Sequence, residues 1–253
     1  MTPETEVPVI FLDEVDSTNT YVREHFDELP DRALVTARHQ TAGRGRLGRK
    51  WIAPPGVNLS GTFCFKNLAD GFHAGMICGV ALINTVRELL PETDFYLKWP
   101  NDLYCGKAKA AGMLGEGVLR GGRIAGIAMG VGLNVNTSQE DLLTAGQPAV
   151  SLKLLSGKEF NPDFVARLLV KQMNVCYIRY SNSVDEIFGL WRSANKLIGR
   201  NIAVTDACGI RYEGVFRDVT AQGEMLLEWR NDKGELCVRS FNCGDVSVDK
   251  STI

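Results

Sequence analysis

The sequence predicts an α+β fold with a small β domain at its carboxyl-terminal end. Up to about residue 198, stretches with strand-like and helix-like apolar patterns alternate. Two long strand-like stretches in this part are separated by Gly121-Gly122, which is a strong signal for a two-residue hairpin. From residue 200 onward only short β-like runs occur, separated by Gly, Asp and Asn, as in a small barrel or sandwich. We therefore expect two domains, 1–198 and 199–253.

The first hundred residues are expected to contain four strands and two helices. Apolar and β-branched runs predict strands at 9–15, 33–40, 58–65 and 96–99. The DSTN stretch at 16–19 offers N-caps for a helix over 20–29, and helical apolar spacing predicts a second helix over 72–90. Residues 43–56 read GRGRLGRKWIAPPG, and their glycine, arginine and proline content predicts a loop.

The rest of the chain continues this pattern before the change near residue 198. We expect the two hairpin strands at 109–119 and 124–135, and helices at 161–180 and 184–197. The short strands of the second domain are expected at 201–207, 210–219, 225–231 and 236–242.

Composition narrows the class of protein. The 253 residues are 45% hydrophobic and 23% charged, which is typical of a globular protein and excludes a mainly disordered or coiled-coil chain. The net charge of −2 disfavours a nucleic-acid-binding protein. None of the seven cysteines forms a CxxC pair, and the three histidines lack helical ligand spacing, so a zinc site or a Ser-His-Asp triad is not expected. No signal peptide or bilayer-length apolar segment is present, so we expect a cytoplasmic protein.

The loop at 43–56 contains the first chemical motif. Its GRGRLG stretch matches GxGxxG, but Trp51, Pro54 and Pro55 follow, so no helix can start there and the dinucleotide-binding interpretation is rejected. A Walker A motif is also absent. Four cations alternate with three glycines over residues 43–50. Glycines let a backbone close around a ligand, and arginines bind carboxylate or phosphate, although a charged run is more often a solvated loop.

Four further clusters are ambiguous when each is taken alone. KWPND at 98–102 is typical of a turn, but it also presents a cation, an amide and a carboxylate at a strand end. KAKAAG at 107–112 and GVGLN at 130–134 place glycines inside strands, which indicates close approach of another group. DSTN at 16–19 supplies N-caps as well as spare hydroxyl and amide groups.

Together and in this order, these clusters resemble the catalytic domain of biotin–protein ligases. The matching motifs are DSTN at 16–19, QTAGRGRLGRKW at 40–51, KWPND at 98–102, KAKAAG at 107–112 and GVGLN at 130–134. The resemblance runs from about residue 9 to about residue 250. It implies a class II synthetase-like domain, built from a mixed β-sheet with flanking helices, followed by a small SH3-like β-barrel.

The resemblance also implies roles for individual positions. The residues expected to bind biotin are Ser17, Thr18, Asn19, Gln40, Gly43, Arg44, Gly45, Arg46, Lys109, Gly112, Gly130 and Gly132. The residues expected to bind ATP are Arg46, Arg49, Trp51, Lys98, Asn101 and Asn134, with Trp51 as a face for adenine. Lys109 and Arg44 are the expected catalytic residues. No motif ligates a metal directly, and Asp102 is left as a candidate for the Mg²⁺ that accompanies ATP.

The implied reaction activates biotin with ATP to biotinyl-5′-AMP and then transfers biotin to a lysine of a biotin carboxyl carrier protein. Two anions must meet in the first step, since the biotin carboxylate attacks the α-phosphate. Unit charges about 4 Å apart repel by roughly 1 kcal/mol in water and roughly 4 kcal/mol at an effective dielectric constant of 20. Lys109 and Arg44 are expected to offset this repulsion. The loop at 43–56 is expected to shield the reactive anhydride from water.

Three departures from the family pattern accompany the resemblance. Leu47 replaces a residue that is often basic, which removes one cation from the loop. Gly115 stands where a branched apolar residue is commoner, and a changed pocket floor is expected. Only about eight residues precede the first strand, so we expect a ligase without the amino-terminal DNA-binding domain of the repressor-type members and without DNA as a partner.

Two other functions stay open at this stage. A lipoate–protein ligase or an octanoyltransferase would share the catalytic architecture, but a transferase would leave the cationic loop unexplained, and a lipoate ligase would have less use for the polar set at 17–19 and Gln40. A nucleic-acid-binding module would use residues 43–50 as a basic arm, and strong salt dependence would identify it. The sequence also leaves a homodimer open.

Overall fold

The computed structural model describes residues 7–144, 146–206, 208–231, 233–242 and 245–248. The strands are β1 (Val9–Val15), β2 (Leu34–Gln40), β3 (Leu59–Phe65), β4 (Phe95–Lys98), β5 (Asp102–Cys105), β6 (Ala108–Arg120), β7 (Arg123–Leu133), β8 (Asn201–Thr205), β9 (Arg211–Val219), β10 (Met225–Arg230), β11 (Leu236–Phe241) and β12 (Asp245–Val248). The helices are α1 (Thr18–Glu24), α2 (Gly71–Leu89), α3 (Gln139–Leu143), α4 (Leu152–Ser156), α5 (Pro162–Asn182) and α6 (Val184–Ala194).

A seven-stranded mixed sheet in the order β1-β2-β3-β7-β6-β5-β4 forms the larger part of the molecule. Only β1 and β2 pair in parallel within it, and the other neighbours are antiparallel. The β6–β7 hairpin turns at Gly121 and Gly122, whose φ angles of 56° and 78° suit the mirror-image turn that Gly-Gly predicts. The expected mixed sheet with flanking helices is thus confirmed.

Side-chain alternation gives the sheet two different faces. Phe63, Met129 and Val131 belong to the main core, against which α2, α5 and α6 pack. Cys64 and Ala128 lie one residue out of phase and belong to a smaller cluster beneath α1. Because α1 covers only part of this face, a cleft remains beside it over the central strands.

A five-stranded antiparallel sheet, β11-β10-β9-β8-β12, forms the expected small carboxyl-terminal β domain. Its core is continuous with the main core, since Phe216 of β9 meets the ring of Trp99 edge-on at 6.4 Å. On the outer side, Arg192 forms a two-bond ion pair with Asp218 at 2.6 Å. The boundary near residue 198 stays a prediction, and residues 1–6 and 249–253 of the two expected domains lie outside the described ranges.

Several expected bounds are corrected by the structure. The helix expected over 20–29 occupies 18–24 instead, because Ser17 is its N-cap and the chain turns at His25. The helix expected to reach residue 197 ends at Ala194. Strands β5 and β12 and helices α3 and α4 were not anticipated, since four or five residues are too few to show a period.

Within the described ranges, each helix is too short or too polar to span a bilayer.

Candidate functional site

A cleft of about 540 Å³ opens on the α1 side of the large sheet, between the start of α1, the loop at 43–56 and the central strands. The predicted site residues that line it are Ser17, Thr18, Asn19, Gln40, Arg44, Gly45, Arg46, Arg49, Trp51, Lys98, Asn101, Asp102, Lys109, Gly112, Gly130 and Gly132. Gly43 and Asn134 are the predicted residues that do not line it. Segments far apart in the sequence therefore converge on one cavity.

One wall of the cleft is made of neutral polar side chains. The Oε1 atom of Gln40 accepts hydrogen bonds from the backbone N–H of Thr18 at 2.8 Å and from its hydroxyl at 3.1 Å. The Thr62 hydroxyl donates to Oδ1 of Asn19 at 2.6 Å. Ser17, Thr18 and Asn19 are each almost completely buried. Such a wall offers both donors and acceptors without a charge, which suits a neutral polar ligand in an apolar pocket.

Glu116 joins this wall to the loop. Its Oε2 atom accepts from Nδ2 of Asn19 at 2.7 Å and from a guanidinium N–H of Arg44 at 3.0 Å, and Arg23 approaches the other oxygen to 3.7 Å. Neither Glu116 nor Thr62 was predicted. The one available signal was strand alternation, because Thr62 and Glu116 are polar positions on the cleft face of β3 and β6.

Glycines on the central strands leave room for side chains that line the cleft. A Cβ atom added at Gly130 would lie 2.5 Å from Oδ1 of Asn19, and one at Gly132 would lie 2.3 Å from the indole of Trp51. Across the strand pair, Gly112 is opposite Gly132, and its added Cβ would lie 3.0 Å from the Lys109 side chain. The close approach predicted for these strand glycines is therefore made by side chains of the site itself.

The opposite end of the cleft is cationic. The Nζ atom of Lys109 lies 2.7 Å from Oδ1 of Asp102, and both side chains are largely buried. Arg46 donates to Oδ1 of Asn101 at 2.9 Å, and Asn101 in turn donates to the carbonyl of Met113 at 2.6 Å. These bonds fix positive charge at defined points, as binding of carboxylate or phosphate requires.

Lys98 adds a further cation to this end, 4.6 Å from the centre of the Tyr104 ring. Burial, together with the charge of Asp102, raises the pKa of the Tyr104 phenol above its ordinary value. The phenol therefore stays neutral and provides a face for the ammonium group.

The loop at 43–56 lines the cleft, and backbone bonds within the loop fix its shape. Gly45 N–H donates to the carbonyl of Arg49 at 2.7 Å, and Trp51 N–H donates to that of Gly43 at 3.0 Å. Gly43 is required here, since its added Cβ would lie 2.6 Å from the Trp51 carbonyl oxygen. At the tip, Leu47 has a φ of 55° and its side chain is 66% exposed.

The indole of Trp51 lies so close to β7 that only glycine fits beneath it at position 132. Its indole Nε1 is buried, and among the described residues it has no hydrogen-bond acceptor. A buried donor without a partner in a ligand-sized cleft marks a point where a ligand acceptor would be favoured.

The surroundings of two residues, Asn134 and Gly115, differ from those that the sequence predicted. Asn134 is buried, and its amide donates to the carbonyls of Lys109 at 3.5 Å and Val150 at 3.3 Å, so it supports the strand that carries Lys109. Gly115 does not line the cleft, because its space is filled by the terminal methyl of Met129 at 2.7 Å from an added Cβ.

The chain is similar to proteins of one family. Residues 11–134 match the model of the biotin/lipoate A/B protein ligase family. The bifunctional ligase/repressor BirA of Escherichia coli is 28% identical over 92% of this chain and 74% of its own length. The biotin–[acetyl-CoA-carboxylase] ligase of Mycobacterium tuberculosis is 28% identical over 78% of this chain and 74% of its own length.

The fold is also found in a solved structure. The biotin protein ligase of Aquifex aeolicus, in complex with biotin and ATP, superposes with a TM-score of 0.77 at 24% identity. The match covers 95% of this chain and 97% of that chain, so both sheets are included in it.

Proposed function

Since this chain belongs to the biotin/lipoate A/B protein ligase family and is an enzyme of its biotin–protein ligase branch, we propose that it activates biotin with ATP and transfers it to a carrier protein. The observation that carries the proposal is the division of the cleft into two ends. A neutral polar wall around Thr18, Asn19 and Gln40 suits the urea group of biotin, and a cationic end around Lys109 and Arg46 suits a carboxylate and phosphates.

In the first step, a carboxylate oxygen of biotin attacks the α-phosphorus of ATP. A new oxygen–phosphorus bond forms, the bond to pyrophosphate breaks, and biotinyl-5′-AMP remains. Lys109 is the cation that we expect to contact both anions, and its ammonium group in the cleft, 2.7 Å from Oδ1 of Asp102, supports this role. Arg46 and Arg44 add positive charge from the loop, which stabilises the charge that builds up on the phosphate in the transition state.

Mg²⁺ is the divalent cation expected to accompany ATP. No cluster of three metal-binding side chains occurs in the described part of the chain, and Asp102 is the carboxylate among the cleft-lining residues. This donor set fits an ion that is held chiefly by phosphates, with Asp102 as its protein ligand. The ion would neutralise the leaving pyrophosphate.

In the second step, a lysine amine of the carrier attacks the carbonyl carbon of the anhydride, and AMP leaves. No covalent bond to the enzyme is needed. The loop at 43–56 would protect the anhydride from water between the steps. We propose a biotin carboxyl carrier protein, or the corresponding domain of a biotin-dependent carboxylase, as the acceptor. The names of relatives such as the Mycobacterium tuberculosis ligase support this choice.

Exchange of labelled pyrophosphate into ATP tests the first step directly. With Mg²⁺ present, exchange is expected only when biotin is added, because the back reaction requires biotinyl-5′-AMP. Lipoate and octanoate serve as parallel substrates. Exchange with lipoate but not biotin would support the lipoate–protein ligase alternative, and no exchange with any of the three would exclude ATP-dependent activation. The cytoplasmic location and the absence of DNA binding stay predictions, and a homodimer stays open.

Glu116 gives a second test, which concerns retention of the intermediate. Replacing Glu116 with glutamine removes the ionic partner of Arg44 and so weakens the link between loop and wall. We expect biotinyl-5′-AMP to be released roughly three to ten times faster, equivalent to roughly 0.7–1.4 kcal/mol. Release is measured as chemical biotinylation of a bystander albumin.

The matched control is Glu24→Gln, which changes an exposed carboxylate of α1 away from the cleft. Its release rate should equal that of the unmodified protein. Equal release rates for the two variants would show that Glu116 has no part in holding the loop.

A further inference from the structure

Trp99 connects the small β domain to the cleft. Trp99 and its neighbours Lys98 and Pro100 all line the cavity, but only 2% of the Trp99 surface is exposed. The indole Nε1 donates to the carbonyl of Gly223 at 2.9 Å, and Phe216 of β9 meets the ring edge-on. A strand-end segment of the site is thus attached to the second domain through one side chain.

Gly223, whose carbonyl accepts the hydrogen bond from Trp99, has a constrained position. It lies in the β9–β10 turn with a φ of 85°, and its N–H donates to the carbonyl of Thr220 at 2.9 Å. An added Cβ would lie 2.4 Å from the ring of Phe72, so the turn is seated on the first turn of α2 without spare room. The acceptor for Trp99 therefore has a fixed position.

The segment that Trp99 fixes contains the side chains that hold two cations of the site. Asn101 holds Arg46, and Asp102 holds Lys109. The Asn101 carbonyl also accepts the backbone N–H of Met113 at 2.8 Å. A displacement of Trp99 would be carried to both cations through their partners, because one residue separates Trp99 from Asn101 and two separate it from Asp102.

We propose that Trp99 is a positioning residue through which the small β domain sets the geometry of the catalytic cations. This inference rests on the proposed function, since it concerns the adenylation step. It assigns the second domain a role in catalysis that requires no ligand contact by that domain.

Two variants break the connection from opposite sides. Trp99→Phe keeps an aromatic ring but removes the donor, and Gly223→Ala forces the turn away from Phe72. The matched control is Gly209→Ala, in the β8–β9 turn, where φ is 80° but an added Cβ meets nothing within 4 Å. The control carries the same backbone penalty in the same domain without disturbing Phe72.

The first readout is biotin-dependent pyrophosphate exchange. We expect kcat to fall about tenfold for Trp99→Phe and Gly223→Ala, with KM for biotin changed less than about twofold, and no comparable fall for Gly209→Ala. The double variant should lose no more than the more affected single one, because both remove the same connection. Rates are taken well below each variant's Tm, so that partial unfolding does not contribute.

The second readout does not depend on activity. Hydrogen–deuterium exchange at the Met113 amide and along 98–105 should rise in both variants and not in the control, because the Asn101 carbonyl loses its fixed position. Unchanged exchange in this segment would overturn the proposal, as would normal kcat in both variants. An unmodified protein without biotin-dependent activity would overturn the proposed function instead, and the amide exchange would still decide the role of Trp99.

Discussion

Replacing Lys109 with alanine is expected to lower biotin-dependent pyrophosphate exchange by about two to three orders of magnitude. The Lys109 ammonium is held by Asp102 at 2.7 Å and is only 15% exposed, so its charge is poorly screened by water. A cation in this position favours the meeting of two anions and gains strength as the transition state forms. The effect should appear mainly in kcat, which a series of exchange rates at saturating biotin and ATP will measure.

A matched control for this experiment is Lys107→Ala. Lys107 is exposed and precedes the same strand, so its loss changes the net charge equally without changing the cleft. Its exchange rate should stay within about twofold of the unmodified protein. Because Lys109→Ala leaves Asp102 without its cation, the Tm of Lys109→Ala is measured beside its exchange rate, which separates the loss of charge from any loss of folding. Retention of more than a tenth of the activity in Lys109→Ala would contradict the assigned role.

The second large effect is expected for Gly132→Ala. The added methyl would lie 2.3 Å from the Trp51 indole, so the indole and the loop that carries it must move out of the cleft. Overpacking of this kind costs about 1–3 kcal/mol, which corresponds to a rise of roughly 5- to 150-fold in KM for ATP. Thermal stability should change less than ATP binding does, because Trp51 belongs to a surface loop that can yield without disturbing the main core.

Gly117→Ala is the control in the same hairpin. An added Cβ there would meet Ile124 at 3.9 Å, an ordinary van der Waals distance. KM for ATP should be unchanged in this variant, and Tm should change little. If Gly132→Ala also left KM for ATP unchanged, Trp51 would not be part of the ATP-binding surface.

Local patterns predicted much of the fold. The Gly-Gly hairpin and the long helix α2 depend on neighbours in the sequence, and both were found close to their expected bounds. Strand β5 could not be predicted, since its four residues are defined by pairing with β4 and β6 and not by a pattern of their own. The motifs identified most of the cleft-lining residues, because each motif was a short run of unusual residue types that local sequence alone reveals.

What the sequence could not supply was the set of contacts between distant strands. Glu116 meets Asn19 and Arg44 because α1 and the loop at 43–56 lie against the face of β6, which no local pattern encodes. Asn134 was expected at the cleft, yet its amide bonds to backbone carbonyls in the interior. A lone amide in an apolar strand does not show which face it occupies until the register is known.

The left-handed conformation of Leu47 has a consequence for ligand binding. A non-glycine residue at a φ of 55° costs of the order of 1–3 kcal/mol, and the exposed side chain recovers none of this by packing. The bonds of Arg44 to Glu116 and of Trp51 to Gly43 hold the loop in this arrangement and offset that cost. Any bound molecule that lets Leu47 return to the right-handed region would gain that free energy, so a rearrangement of the loop tip would be coupled to binding.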